Sequence, residues 1–236
     1  EQLIKQKLTS NEVVNLLNTQ TYFELLKLPY PNNQEAVIEK FVSEKFIKKN
    51  KDSYDITKLG AILLAKNLDE FEEVGRKAVR VIVYKGKNKI DTIREQIGKR
   101  GYAVGFEGLI DWINGQLPAN EEIGRAFRSE TRMYPEIAIR ELVANAIIHQ
   151  DFSEKGFPMI EIFSDRIEIS NPGIPLITPQ RFIDEYVSRN ERLADVLRRF
   201  GMCEEKGSGI DKVIFYNEMY QLPAVDFIVS EKRTRI

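Results

Sequence analysis

Three side chains capable of polar chemistry recur every four residues in one apolar stretch: Glu141, Asn145 and His149, within IAIRELVANAIIHQD (137–151). On a helix this spacing makes a single stripe that drifts only about 40° per step. The residues beside it, Leu142, Val143, Ala144, Ala146, Ile147 and Ile148, are apolar, so the helix should be largely buried. A carboxylate, an amide and the chain's one imidazole on the polar line of a buried helix are costly unless they face a ligand, a metal or one another. The stripe therefore either floors a site or faces water. Its composition favours the first, because solvent stripes are usually Lys, Glu, Gln and Arg, whereas mid-helix Asn competes for backbone hydrogen bonds.

Several elements must position this helix. Pro135 suits its first turn. Downstream, MIEIF (159–163) and RIEIS (166–170) alternate with period two around Ser164-Asp165, a hairpin turn signal. A turn at Asn171 to Pro175 precedes a helix over 179–186, an amphipathic helix in VSRNERLADVLRRFG ending at Gly201, and a helix running to about Tyr220. Upstream, VRVIVY (79–84) reads as a buried strand by its β-branched run. The basic turn KGKNK and a partner strand over 90–96 follow. Residues 106–117 form a helix with Leu109, Ile110, Trp112 and Ile113 inward, and 119–130 a polar link. Gly98, Gly101 and Gly105 lack a phosphate-cradling spacing and read as loop punctuation.

The chain opens in a helical pattern. Thr9 or Ser10 caps a helix through Leu17, with further helices over 22–28 and 34–46. Short strands at 46–49 and 53–56 flank a polar turn, and a helix over 57–65 follows. This layout is winged-helix-like, and Lys48, Lys49 and Lys51 at the hairpin tip are placed to meet DNA phosphates. The charged connector 67–76 divides a helical domain, 1–75, from a second domain, 76–236.

The 236 residues carry 35 Lys plus Arg against 36 Asp plus Glu, so bulk charge implies no polyanion partner and any nucleic-acid contact must be local. A single Cys, Cys203, excludes an internal disulfide framework and suits a reducing cytoplasm. One Cys and one His cannot build a zinc site without several carboxylates. No apolar run approaches a membrane span, and no signal peptide is visible. The start at Glu1 and a close that reads as mid-strand suggest a fragment of a longer protein.

Three separated motifs carry a resemblance. ELVAN (141–145) resembles the N-box of the GHKL ATPase superfamily of gyrase, histidine kinases and MutL; DRIEISNPG (165–173) resembles its strand-and-glycine box, and EEKGSGIDKV (204–213) its second glycine box. More closely, RELVANAIIHQDFS, EIFSDRIEISNPG, SRNERLADVLRRFG and GSGIDKV together resemble bacterial RecG-like and transcriptional-regulator proteins, in which an AlbA/Schlafen-type domain precedes a GHKL-like domain. The match covers roughly 79–221.

The resemblance implies an α/β (α+β) fold: a GHKL-like two-layer sandwich behind the winged-helix-like domain, with an AlbA-like domain upstream. It implies ATP and Mg²⁺ as cofactors. Glu141 would be the general base orienting water, and Asn145 the metal ligand. His149, Asn171 and Gly173 would contact nucleotide, and Gly207, Ser208 and Gly209, with the helix after them, would hold phosphate.

The sequence departs from the superfamily at the first glycine box. The Asp that usually receives the adenine amino group is absent, leaving Asn171 or Ser170 to substitute, and Pro172 deletes an amide donor.

Two functions follow. One is an ATP-binding, weakly hydrolysing module of a bacterial DNA-binding transcriptional regulator; the other is a non-catalytic dimerisation or scaffold domain with a degenerate pocket. DNA, through the full-length protein, and a second copy of the chain are the expected partners. A helicase motor is not expected, because there is no GxxxxGK[ST] loop.

Overall fold

The computed structural model of the chain describes residues 2–123, 128–182, 187–204 and 209–236, those of 119–132 by backbone alone. They form two compact units, 1–78 with 98–107, and 79–97 with 108–236.

The first unit begins with a strand, β1 (Leu3–Leu8), and not the helix that the local pattern suggests. The reason is a distant partner, since β1 pairs antiparallel with β3 (Tyr54–Thr57). Between them run α1 (Ser10–Leu16), α2 (Thr19–Leu25), α3 (Gln34–Ser43) and β2 (Ile47–Lys49). Thr9 and Glu12 close a reciprocal capping box on α1, satisfying two donors that the helix itself cannot.

The sheet order is β1-β3-β2, and α4 (Lys58–Leu64) and α5 (Glu72–Gly75) follow. The core is aromatic. Tyr22 meets Phe23, Phe41 and Phe46 edge-to-face, and its hydroxyl donates to Glu44 at 2.7 Å. Lys48, Lys49 and Lys51 are exposed at the hairpin.

The second unit is a mixed six-stranded sheet with helices. Its elements are β4 (Arg80–Tyr84), β5 (Thr92–Ile97), α6 (Tyr102–Asn114, clustering with the first unit up to Glu107), β6 (Ala119–Ile123) and β7 (Arg128–Arg132). Then come α7 (Glu136–His149), β8 (Met159–Ile162), β9 (Ile167–Pro172), α8 (Glu191–Arg199), α9 (Gly209–Met219), β10 (Ile228–Val229) and β11 (Arg233–Arg235).

Strand order is β10-β11-β9-β8-β4-β5, with β4 and β8 parallel and the other neighbours antiparallel. The stretch read as a polar link instead pairs as β6 and β7 in a separate two-stranded ribbon. Trp112, expected in the core, is only half-buried.

The period-two pattern sorts the sheet's two faces. Val81, Ile160 and Ile169 lie in cross-strand register and are fully or almost fully buried. Ile82, Glu161 and Glu168 are the alternate set. There Lys89 and the Tyr84 hydroxyl bond Glu161 at 2.7 and 3.0 Å, while Arg166 and Arg235 bond Glu168 at 2.7 and 2.9 Å. Pairing of this kind is what lets carboxylates be so little exposed. Among the described residues no helix is long and apolar enough to cross a membrane.

Candidate functional site

α7 is buried around most of its girth and packs against β9 and α9. Its polar stripe does not face open solvent. Glu141 is 6% exposed, Asn145 and His149 are half-buried, and all three line one cavity of about 90 Å³. Asn171 on β9 and Thr234 on β11 reach the same cavity, which is walled by Pro175, Leu176, Ile177, Phe182, Val187 and Phe227. Phe182 and Phe227 meet edge-to-face at 5.1 Å. An apolar wall around a few convergent polar groups is the general form of a small-molecule site, although such sites usually span roughly 300–1,000 Å³.

Each sequence-identified residue has a definite place. Burial raises the Glu141 carboxyl above the usual range and the Glu204 charge adds to this; the Lys212 charge, the Glu204 backbone N–H and the Arg140 charge oppose it. His149 is pushed down to about 4, by burial first and by Arg189 second, so it is neutral at pH 7.

Asn171 donates its Nδ2 to the Pro172 carbonyl at 3.1 Å, which leaves its amide oxygen as the acceptor. Ser170, the alternative to Asn171, does not line the cavity; its Oγ accepts from Arg233 Nε at 3.0 Å. Gly173 also lies off the cavity, against Asp151 and Arg189. Gly209 opens α9, where an added Cβ would stand 2.6 Å from Glu141 Oε2 and 3.8 Å from Asn145 Nδ2. Gly207 and Ser208 lie outside the described residues.

The structure adds residues to which the sequence gave no role. Asn190 Nδ2 donates to the Ile148 and Gln150 carbonyls at 2.7 and 2.8 Å, capping the end of α7. Beside it, Arg189 bonds Asp151 and the Ile174 carbonyl. Together they clasp α7 to the loop that follows β9. The SRN tripeptide was visible inside a family-like motif, but nothing local marked it as a clasp.

Lys212 pairs with Glu204 beside Glu141. Cys203 also lines the cavity, its thiol pushed up to about 12 by burial and so unreactive at neutral pH. Among the described residues no group of three or more His, Cys, Asp or Glu could hold a metal ion.

A mixed sheet carrying a polar-striped helix above an apolar-walled cavity defines an α+β domain of the ATPase-like kind. Residues 156–236 match the family model described as "Putative ATP-dependent DNA helicase recG C-terminal", so this part of the chain is similar to the RecG C-terminal ATPase-like domain. The matched stretch begins after α7 and so leaves out Glu141, Asn145 and His149.

Among solved structures, the DIP2311 protein from Corynebacterium diphtheriae superposes with a TM-score of 0.72 at 15% identity, over 99% of this chain. The likeness is one of fold, and this chain spans 47% of that protein's length. No curated protein matches.

Proposed function

We propose that the second unit is an adenine-nucleotide-binding module, weakly hydrolytic at most, within a bacterial DNA-binding regulator. The observation that carries this is the convergence of Glu141, Asn145 and His149 from α7, with Asn171 from β9, on one apolar-walled cavity. The family match to an ATPase-like domain supports it.

The residues fit the base end of a nucleotide best. Asn171 offers an acceptor suited to a ring amino group, and the apolar walls suit a flat ring. His149 meets the ligand uncharged. At the phosphate end Asn145 would be the protein's ligand to Mg²⁺, the other donors being phosphate and water oxygens. Gly209 and the N-terminus of α9, with Gly207 and Ser208, would hold phosphate. When bound, Mg²⁺ would neutralise phosphate charge and the triphosphate would supply the leaving group. Glu141 is the group of this chain suited to take a proton from water, its burial favouring the protonated state that a base must reach.

A second reading is favoured by two observations: the cavity is small, and its lining holds two carboxylates, Glu141 and Glu204, and no Lys or Arg. In that reading the pocket is degenerate and the unit serves dimerisation or scaffolding. Thermal unfolding separates the two. Mg-ATP at 100 times its Kd should stabilise the wild-type chain by about 2.7 kcal/mol, and Asn145→Ala by less. No shift at millimolar nucleotide would favour the scaffold. Where turnover is detected, Glu141→Ala should abolish it.

DNA contact through the first unit rests on the exposed Lys48, Lys49 and Lys51 of the hairpin, which is read as a wing. The adjoining helix α3 exposes Glu35 and Glu39, so contact should be confined to the hairpin. In mobility-shift titrations at low salt, alanine at all three lysines should weaken binding strongly. Equal binding by that variant would remove the wing from the account.

A further inference from the structure

The two ends of the cavity differ in what already fills them. At the phosphate end, the Glu141 carboxylate accepts the Glu204 backbone N–H and stands against Gly209, so close that a Cβ there would lie 2.6 Å from Oε2. That is the position in front of the α9 N-terminus where an anion is held by the helix amides and dipole. Lys212, in the first turn of α9, is bonded to Glu204. The amide, the helix end and the nearby cation are therefore already matched by carboxylates of the chain itself. At the other end, the Asn171 amide oxygen and a neutral His149 face a space with apolar walls.

We propose that Glu141 is an internal stand-in for phosphate, so that in this conformation the site takes an uncharged, amino-bearing heterocycle such as a nucleoside, and admits its phosphorylated forms only after the Glu141 carboxylate has left the α9 N-terminus. The inference rests on the nucleotide reading and adds a gate to it. An uncharged ligand displaces nothing. A polyphosphate brings negative charge to contact distance of a little-exposed carboxylate, where repulsion is weakly screened. Gly209 belongs to the device, because only a residue without a Cβ lets the carboxylate lie flat against the start of α9.

The test is calorimetric titration of adenosine and of Mg-ATP into the wild type, Glu141→Gln and Gly209→Ala. The first variant removes the charge from α7, and the second pushes the carboxylate away from α9, so loss of fold in one leaves the other informative. The wild type should bind adenosine at least as tightly as ATP. Either variant should shift the ATP-to-adenosine affinity ratio toward ATP by about tenfold or more, with adenosine affinity nearly unchanged. A wild type that already prefers ATP, or a ratio unmoved in both variants, overturns the gate and leaves the nucleotide reading standing. Absence of binding by either ligand to all three proteins overturns the nucleotide reading and the gate with it.

Discussion

Gly173→Ala should lower the unfolding free energy by about 2–4 kcal/mol, a large share of the roughly 5–15 kcal/mol that holds a typical domain together. Two costs combine. Gly173 has φ +98°, where L side chains are strained, and a Cβ there would lie 2.7 Å from Asp151 Cβ and 3.2 Å from the Asp151 backbone nitrogen. Neither neighbour gives way easily. The Asp151 N–H donates to the Pro172 carbonyl at 2.8 Å, Arg189 grips the Asp151 carboxylate, and the Gly173 N–H donates to the Lys232 carbonyl at 2.8 Å.

Gly156→Ala is the control. Its φ is also positive, +110°, but an added Cβ would meet nothing nearer than 3.5 Å. It should cost only the conformational part, about 1–2 kcal/mol. Urea unfolding of both variants checks the claim, and equal losses would show that the approach of β9 to the end of α7 is looser than described.

The stability of the wild-type chain should fall by about 2–3 kcal/mol more than that of His149→Gln between roughly pH 6.5 and pH 4. The fold holds the imidazole pKa down near 4 from its usual 6.5, by burial first and by the Arg189 charge second. Folding thus favours the neutral ring. The stabilisation is present above the unfolded pKa and is lost as pH falls through the window toward the folded one. Carboxylates titrate in the same range in both proteins, so the difference between the two curves isolates His149. Parallel curves would place the imidazole in water, and with it the end of the α7 stripe.

Local chemistry was readable from the sequence, and partnership across the chain was not. The Thr9–Glu12 capping box, the hairpin at Ser164-Asp165 and the close of α8 at Gly201, with φ +69°, each depend on neighbours within a few residues. The α7 stripe was legible because three polar residues interrupt an otherwise apolar helix at one spacing.

β1 was missed because LIKQKL becomes a strand only by pairing with residues some fifty positions away. β6 and β7 were missed because ANEEI and RSETR lack apolar alternation. In the site, the preference for Asn171 over Ser170 needed the register of β9, since adjacent residues of a strand face opposite sides. The Arg189 and Asn190 clasp joins residues 38 to 42 positions apart through single hydrogen bonds, which no local pattern announces. The carboxylate in front of α9 was hidden for the same reason: Glu141 was read as a base awaiting water, while its present partner lies at residue 204.

The central claim is that the α7 stripe and Asn171 floor a ligand site. Amide chemical-shift mapping of the labelled chain during titration with adenosine and then Mg-ATP tests it most directly. The expected result is saturable shifts gathered on residues 141–149, Asn171 and the strand carrying Thr234. Shifts gathered instead around Glu161 and Glu168, or none at millimolar concentrations of either compound, would contradict it.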